Sequence, residues 1–506
     1  MTEWTAPTID LAAAAPIGFA GIGAIVVLLA EVTLSRRRTF LGRRVTDVWI
    51  GTVLALVAAL FLALAIYAAA VVFAGGKSLA FQSGMAAIRL DRFSGFAIAL
   101  VAVGSFLTCW LSIAYLAELR INHGEYYALV LLSTAGMMLL IAATDLLSLF
   151  LGLELMSIPI YVLAGFDRRK LTSNESAMKY FLVGSFASAL LLYGSALVYG
   201  VTGSLDFAEV RAAFPPGNPI GVVGLGLLVV GFAFKVSSVP FHQWTPDVYE
   251  GAPTSVTAYM SITVKVAAFA ALLRLLLGAF ADVAGVLNEL FWGLALATIL
   301  VGNVMATIQT NLKRLLAYSS VAHAGYVLMG FAAGSPEAHT AVLFYLLAYL
   351  FMNLGAFAVL VSLATAGRDC DRLSDVAGLA RTHPGLAALL TLFLLSLAGI
   401  PGTVGFVGKF LLFKAAVDAN LVGLTLVAVL GSLISVYYYL RVPVAMYMSE
   451  PEPEAPRRAA ATGELLVLAV CAAMVLLLGI FPSQAPGLLS SLRPLEWARQ
   501  SAALLH

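Results

Sequence analysis

The sequence predicts an all-α polytopic membrane protein of about 14 transmembrane helices, with two inverted five-helix repeats and broken helices 7 and 12. Three observations support this fold class. First, 61% of the residues are hydrophobic and 11% are charged, whereas soluble domains carry about 25% charged residues. Second, the apolar runs reach the roughly 18 residues that a membrane helix needs, which is longer than the strands of a barrel. Third, proline and glycine interrupt two of these runs, five spans apart.

The apolar runs define fourteen spans joined by short loops, so the whole chain, 1–506, is predicted to be a single membrane domain. Approximate bounds are 16–34, 48–74, 93–117, 125–143, 146–166, 176–201, 219–240, 254–279, 288–309, 314–333, 337–365, 384–417 (broken), 419–447 and 462–482. We expect N-terminal helices 1–3 in 1–120, a first repeat (helices 4–8) in 125–279, a second repeat (helices 9–13) in 288–447, and helix 14 with a short tail in 462–506.

Basic residues cluster in the loops that follow odd-numbered spans. These residues are Arg36, Arg37, Arg38, Arg43, Arg44, Arg120, Arg168, Arg169, Lys170, Lys313, Arg314, Arg368, Arg372, Arg381, Arg441, Arg457 and Arg458. The positive-inside rule places such loops in the cytoplasm, so both termini are expected on the opposite side.

The two interrupted spans each carry a lysine close to the break. In span 7, Lys235 precedes Pro240, and in span 12, Lys409 follows the Gly399–Gly402 segment. Proline removes a helical hydrogen bond, and backbone freed in this way is tolerated in a membrane where protein buries it or a water-filled cavity meets it. Because five is an odd number, a duplicated five-helix unit would be inverted relative to its copy, which is typical of transporters.

Four lone ionisable residues lie deep within apolar spans: Glu154, Lys235, Lys265 and Lys409. A charge at that depth is energetically unfavourable, and such residues commonly line a polar path. A lysine that loses its hydration releases its proton more readily, while a nearby carboxylate stabilises the charged form, so the groups titrate together. We therefore predict a proton relay. The alternatives are a locally hydrogen-bonded glutamate and lysines that extend toward the headgroups.

Several further polar residues could either belong to the proton path or have a structural role. Lys179 near the start of span 6 is either a connecting residue or an interfacial lysine, and His323 in span 10 either joins the relay or is a packing residue. Lys414 is either a structural residue that approaches the outer surface or a functional residue, and Asp145 is expected to begin span 5. Asp247 is expected to cap a helix or lie at a water entrance. The three cysteines, Cys109, Cys370 and Cys471, are scattered, so no zinc or iron–sulfur site is predicted.

At these residues the chain resembles the antiporter-like membrane subunits of respiratory complex I (NADH-quinone oxidoreductase). The similarity covers nearly the whole chain and is strongest over 125–415. Its motifs lie at 144–147, 152–155, 175–181, 234–235, 240–253, 311–320 and 399–401. Within the family it is most similar to the subunit N branch, the counterpart of mitochondrial subunit two. Subunit M typically has glutamate at the position of Lys409, and the tail here is too short for the lateral helix of subunit L.

The resemblance implies roles for individual residues. Glu154 would pair with Lys235, Lys265 would be the central relay, and Lys409 would be the outward-side proton site. Lys179 and His323 would be candidate connecting residues. The chain would then be a proton-translocating subunit of a proton-pumping NADH:quinone oxidoreductase.

The same resemblance implies that this chain has no redox centre. NADH, FMN, iron–sulfur clusters and quinone would belong to partner subunits, namely other complex I membrane subunits and the peripheral redox arm. The expected location is a bacterial inner membrane, with both termini periplasmic. Two alternatives stay open: a subunit of a multi-subunit cation/proton antiporter or membrane-bound hydrogenase, and a stand-alone secondary transporter.

Overall fold

The computed structural model describes residues 11–36, 39–40, 43–44, 47–76, 78–83, 85–365, 368–452, 455–484 and 493–505. In this part of the chain, thirteen helices are long and apolar enough to cross a membrane. They are α1 (Leu11–Arg36), α2 (Asp47–Gly75), α3 (Arg92–Glu118), α4 (Gly124–Ala142), α5 (Leu146–Ala164), α6 (Leu171–Thr202), α8 (Pro219–Val236), α10 (Thr254–Ala279), α11 (Ala284–Thr307), α12 (Leu312–Ala333), α13 (Pro336–Leu363), α17 (Val422–Met448) and α18 (Thr462–Ile480).

A pair of shorter helices supplies the fourteenth span, which confirms the predicted number. This pair is α15 (Pro384–Ala398) and α16 (Val404–Asp418). The remaining elements are α7 (Phe207–Ala213), α9 (Trp244–Gly251), α14 (Leu379–Thr382), α19 (Pro494–Ala502), the antiparallel pair β1 (Thr39–Phe40) and β2 (Arg43–Arg44), and the antiparallel pair β3 (Leu79–Ser83) and β4 (Met85–Leu90).

The break in span 7 separates α8 from α9, as predicted. Ser237 ends α8 in the left-handed conformation, with φ of +64°. The carbonyls released at the end of the helix find other donors: Ser238 N donates to Ala233 O at 2.8 Å, and Trp244 Nε1 donates to Phe234 O at 3.1 Å. Since backbone polar groups in a membrane interior must be satisfied by protein, these contacts stabilise the interruption.

The break in span 12 separates α15 from α16, also as predicted. Gly399 and Gly402 have φ of +91° and +89°, a region that is strained for residues with a β-carbon. Gly399 N donates back to Leu395 O at 3.1 Å, which closes the last turn of α15. The carbonyl of Ala398 accepts a hydrogen bond from Lys409 Nζ at 2.9 Å. Lys409, which the sequence analysis identified as a candidate, thus supplies a hydrogen bond to a backbone carbonyl that the break leaves without its helical partner.

The two predicted repeats show corresponding helix neighbours. In the first, α4 packs on α5, α6 on α8 and α10 on α4; in the second, α11 packs on α12, α13 on α15 and α16, and α17 on α11. These pairs occupy matching places in the two five-helix units. The correspondence supports the inferred duplication, whose exact bounds stay a prediction.

The loops after several odd-numbered spans meet at one end of the bundle. Lys170 Nζ lies 2.9 Å from an Asp369 carboxylate oxygen, which joins the loops after spans 5 and 11. Arg457 donates to Ala377 O at 2.7 Å, which brings the loop after span 13 to the same place. Arg37 and Arg38, which the orientation argument also uses, lie outside the described residues.

The short elements were not predicted, because they are not long apolar runs. Three of them are α7, the hairpin of β3 and β4, and α19 in the tail. Helix α19 packs on α3 and α13, and Ala498 and Ala502 are buried there. The described part of the tail after span 14 is therefore packed against the bundle at one of its ends.

Close contact between α4 and α5 leads to a test of this packing. A β-carbon on Gly136 would overlap the backbone of Met156, and one on Gly152 would overlap that of Leu140. We expect Gly136→Ala and Gly152→Ala each to destabilise the chain by about 1–3 kcal/mol, as overpacked sites do. The measurement is the thermal unfolding midpoint of the purified chain in detergent.

Gly226→Ala is the matched control, because its new β-carbon would meet no atom within 4 Å. An unchanged midpoint in the two α4–α5 variants, equal to that of Gly226→Ala, would contradict the packing described here.

Candidate functional site

Besides Lys313 at the start of α12, three lysines are buried in the interior of the helix bundle. Lys235, on α8, is 1% exposed, and Lys265, on α10, and Lys409, on α16, are each 3% exposed. No carboxylate among the described residues lies within ion-pair distance of any of them. Their ammonium groups are held by hydroxyls, carbonyls and aromatic rings instead, so each site can accommodate a change of charge without an ion pair being broken.

Lys235 has the most aromatic environment of the three. Its Nζ donates to Ser157 Oγ at 2.7 Å and to Tyr161 OH at 3.2 Å, both on α5. The same nitrogen lies 5.3 Å from the ring centroids of Tyr161 and Phe234 and 5.8 Å from that of Tyr180. Aromatic faces stabilise a cation within about 6 Å, and more so where water is excluded.

Glu154 lies one turn before Ser157 on the same face of α5. Its carboxylate forms no direct ion pair with Lys235 in this structure, although the two groups interact electrostatically. One carboxylate oxygen, Oε1, is buried and has no hydrogen-bond partner within the described residues. Ser157 and Tyr161 contact the ammonium directly in the place where the resemblance implies Glu154.

Lys265 points from α10 toward α12, where its Nζ donates to Ser320 O at 2.6 Å. Beside it is a cavity of about 10 Å³, roughly the space that one water molecule needs. The cavity is also lined by Ser320, His323, Tyr345 and Tyr349. The surface that this cavity exposes is apolar, so it adjoins Lys265 and the imidazole without itself supplying a polar bridge between them.

His323 lies on α12 with both ring nitrogens in contact with phenol groups. Nδ1 contacts Tyr345 OH, and Nε2 is 3.0 Å from Tyr439 OH. The imidazole interacts electrostatically with both Lys265 and Lys409. The imidazole is thus in contact with a phenol on both sides, and its part in the relay stays a prediction.

Lys409 is held at the break of span 12. Besides Ala398 O, its Nζ contacts Ser432 Oγ at 3.0 Å and lies 5.1 Å from the ring centroid of Tyr326. Ala398 is the last residue of α15, and the C-terminal end of a helix carries partial negative charge. The broken helix therefore provides an electrostatic partner that an unbroken helix would lack.

Lys179 lies outside this buried row, in an ion-pair network that joins α6, α9 and α12. It is 2.7 Å from Glu175 and 2.9 Å from Asp247. Arg314 lies 2.8 Å from both Asp247 and Glu250. Partial burial would raise the pKa of Asp247, but hydrogen bonds from Lys179 and Arg314 hold the pKa below its usual value. Asp247 therefore ties together three helices next to the break in span 7.

An open cavity of about 610 Å³ lies at the other end of the bundle, and we call it the outer vestibule. Its charged lining residues are Glu337, Lys414, Asp418, Glu496 and Arg499. Lys414 is exposed and lies 2.6 Å from Asp418. Ala341 also lines the vestibule, one turn from Tyr345 on α13, so this opening approaches the phenol that contacts His323.

The sequence prediction missed the hydroxyl residues that contact the buried ionisable groups. These are Ser157, Tyr161, Tyr345, Ser432 and Tyr439. Ser157 follows Glu154 by three residues and Tyr161 follows it by seven, so helical spacing could have identified them. The others are remote in sequence and become neighbours only through helix packing.

One possible group of metal ligands is present in the described part of the chain. Ligand atoms of Glu31, His123 and Glu125 lie within 4.8 Å of one another, between α1 and the start of α4. His123 and Glu125 are exposed. This group is not among the residues that contact the buried lysines.

Comparisons with known proteins bear on this arrangement. Residues 143–435 match the family described as NADH:quinone oxidoreductase/Mrp antiporter, TM. NADH-quinone oxidoreductase subunit N of Trichlorobacter lovleyi is 47% identical, over 83% of this chain and 85% of the relative. Subunit N 1 of Sorangium cellulosum is 44% identical, over 94% and 97%. The chain belongs to the NADH-quinone oxidoreductase subunit N family.

Solved structures with similar folds agree with the family match over 143–435. A chain of respiratory complex I from Thermus thermophilus with bound aureothin has a TM-score of 0.77 and 34% identity, covering 92% of this chain and 97% of that one. A chain of the Mrp complex from Dietzia sp. has a TM-score of 0.85 and 25% identity, covering 98% of each. The expectation of a multi-pass, antiporter-like membrane subunit of a bacterial respiratory complex is confirmed.

The contact between His323 and Tyr439 can be tested in this subunit N family member. Tyr439→Phe removes the phenol that meets His323 Nε2, so we expect NADH-driven proton pumping to fall several-fold while the complex still assembles. The measurement is the ratio of protons moved to NADH oxidised in membrane vesicles.

Tyr438→Phe is the matched control, since Tyr438 is equally buried but bonds Asn303 instead. Equal pumping ratios in the two variants would contradict a role for the His323–Tyr439 contact.

The network around Asp247 predicts a pH dependence. Because the pKa of Asp247 is depressed in the folded chain, its ion pairs stabilise α9 fully above the usual aspartate pKa of about 3.9. That stabilisation is lost as the pH falls through the depressed value. An infrared titration of wild type minus Asp247→Asn should show the protonated carboxyl band appearing only below about pH 3.9. A band that appears at higher pH would contradict the network.

Proposed function

We propose that this chain translocates protons across the membrane through a relay of Glu154, Lys235, Lys265, His323 and Lys409. It would do so as subunit N of a proton-pumping NADH:quinone oxidoreductase, without a redox centre of its own. NADH, FMN, iron–sulfur clusters and quinone would belong to the partner subunits. The observation that carries this proposal is the row of three buried lysines with hydroxyl, carbonyl and imidazole neighbours.

Such a row can store and pass protons because its members influence one another. A proton on one lysine disfavours a second charge nearby, and a carboxylate opposes that effect, so the occupied site changes when a neighbour changes charge. Glu154 acts on Lys235 in this way at one end, while His323 responds to both Lys265 and Lys409. Electron transfer in partner subunits would shift this set through charge or conformation, and no electron would need to enter this chain.

Lys409 is proposed as the outward-side site. The outer vestibule supports this assignment, because Leu411, Lys414 and Ala415 on the same helix line it. Ala341, one turn from Tyr345, provides a second approach from the His323 side. Lys414 is assigned to the vestibule surface instead of the relay, since its ion pair with Asp418 is exposed.

Lys179 is proposed to lie at the inner side, where protons would be taken up near the broken span 7. The ion pairs of Asp247 with Lys179 and Arg314 support this position, since they adjoin the end of α8 that carries Lys235. The excess of basic residues in the adjoining loops favours the cytoplasm for this end. Both termini would then be periplasmic, in the inner membrane of a bacterium.

Partner subunits of the membrane arm are proposed to cover part of the apolar exterior. The outward face of α5 and α6 exposes large side chains, among them Leu151, Ile158, Phe181 and Phe186. Glu154 is only partly covered and lies on this side of α5. A neighbouring subunit packed here would bring its own charges close to Glu154, which supports a coupling between subunits at this place.

A second candidate is a subunit of a multi-subunit cation/proton antiporter. The structural likeness to the Mrp complex chain favours it, since the same row of lysines would serve ion exchange. The two candidates differ in what drives transport, which is NADH oxidation in the first and an ion gradient in the second.

The relay is tested by Lys235→Ala. We expect this substitution to abolish most NADH-driven proton pumping, because no other described ammonium group contacts Ser157 and Tyr161. The subunit should still insert and assemble, since an alanine fits the apolar surroundings. Proton movement is followed with a pH-sensitive dye in vesicles that contain the assembled complex.

Lys414→Ala serves as the control, because it removes an exposed lysine from the outer vestibule. Full pumping in Lys235→Ala would end the relay proposal. Proton movement driven by a sodium gradient, without NADH, would favour the antiporter candidate instead.

A further inference from the structure

A second cavity, separate from the lysine row, lies where α19 meets α2 and α3. This groove has a volume of about 490 Å³, within the range of ordinary ligand sites. Its walls are the side chains of Ala70, Phe73, Ala74, Phe96 and Ala99. The groove is thus an apolar trough that begins at the outer ends of two membrane helices and runs into the bilayer region.

The floor of the groove is formed by close packing of α2 against α3. A β-carbon on Gly95 would lie 3.1 Å from Ala69 O, so the two helices leave no room for a side chain there. The rings of Phe73 and Phe96 flank this seam, with centroids 6.5 Å apart. From Gly95 to Ala99 the apolar wall continues by one helical turn, about 5 Å deeper.

The outer rim of the groove is polar and carries two arginines. Arg92, the first residue of α3, donates from Nε to Phe73 O at 3.2 Å, and Arg493 precedes α19. Neither has an ion-pair partner among the residues that the structure describes. The rim holds one acidic residue, Glu496, whose Oε1 accepts a bond from Gln500 at 3.0 Å. The groove therefore has a net positive charge.

Helix α19 presents one face to the groove. Arg493, Glu496, Trp497 and Gln500 follow the spacing i, i+3, i+4 and i+7, which places them on one side of a helix. The opposite side is anchored, since Ala498 and Ala502 are buried and Ser501 Oγ is 3.5 Å from Arg92 O. Tryptophan at this level matches the aromatic residues that concentrate where a membrane meets water.

We propose that this groove binds an anionic phospholipid of the outer leaflet. Its phosphate contacts Arg92 and Arg493, and an acyl chain lies along α2 and α3 between Phe73 and Phe96. A guanidinium group matches phosphate oxygens with two parallel hydrogen bonds. The apolar walls exclude a free phosphate as the main occupant, because an inorganic ion leaves the trough empty. The proposal is independent of the relay.

The test uses the full-length chain in phosphatidylcholine vesicles, with brominated phosphatidylglycerol or brominated phosphatidylcholine added in increasing amounts. Bromine quenches nearby tryptophan fluorescence. The chain has six tryptophans, so the signal of Trp497 is obtained by subtracting a Trp497→Phe variant. We expect half-maximal quenching of Trp497 at a mole fraction of phosphatidylglycerol at least about five-fold lower than that of phosphatidylcholine, as one well-placed basic side chain provides.

In the Arg493→Gln and Arg92→Gln variants, half-maximal quenching of Trp497 should require nearly equal mole fractions of the two lipids. Arg499→Gln is the matched control on the same helix, because Arg499 lines the outer vestibule instead, and it should keep the preference. Arg493 is exposed, so its replacement leaves the fold intact. Equal quenching by both lipids in the wild type, or no quenching of Trp497 by either, would overturn the proposal, and the second result would indicate a protein segment in the groove.

Discussion

The structure depends on how backbone groups are satisfied where two helices break inside the membrane. An unpaired carbonyl at that depth is unfavourable by several kcal/mol, so each break needs nearby donors. Trp244 supplies one for Phe234 O in span 7, and Lys409 supplies one for Ala398 O in span 12. The need for donors thus explains why polar side chains occur at these two places. A lysine used in this way is held by a dipole, not by a fixed counter-charge.

The two halves use this principle differently. Lys235 precedes its break and donates hydrogen bonds to hydroxyl groups on α5. Lys409 follows its break and donates hydrogen bonds to the last carbonyl of α15 and to Ser432. Between them, His323 connects α12 to α13 and α17 through two phenols. The result is a set of separate polar contacts around Lys235, His323 and Lys409 within apolar helices. That they act as one proton path is the proposal made above.

Much of the fold and part of the site were predictable. Long apolar runs gave the spans, Pro240 and Gly399 marked the breaks, and isolated charges marked Lys235 and Lys409. Contacts that depend on helix packing were not predictable from the sequence. Tyr439 contacts His323 although the two are 116 residues apart. Ser157 contacts Lys235 in the place where Glu154 was expected. Helix α19 was missed because its mixed polarity resembles a loop in a search for spans, and only its buried alanines show that it docks.

The enclosure of α12 and α13 on all sides has an electrical consequence. Lipid does not touch these helices, so protein forms an insulating sleeve around Lys265 and His323. Bilayer thickness and lipid packing then have little direct effect on a charge within the sleeve. Membrane voltage does act on it, with about 2.3 kcal/mol for one elementary charge moved across 100 mV. The voltage across the membrane therefore acts directly on a charge that moves within this insulated core.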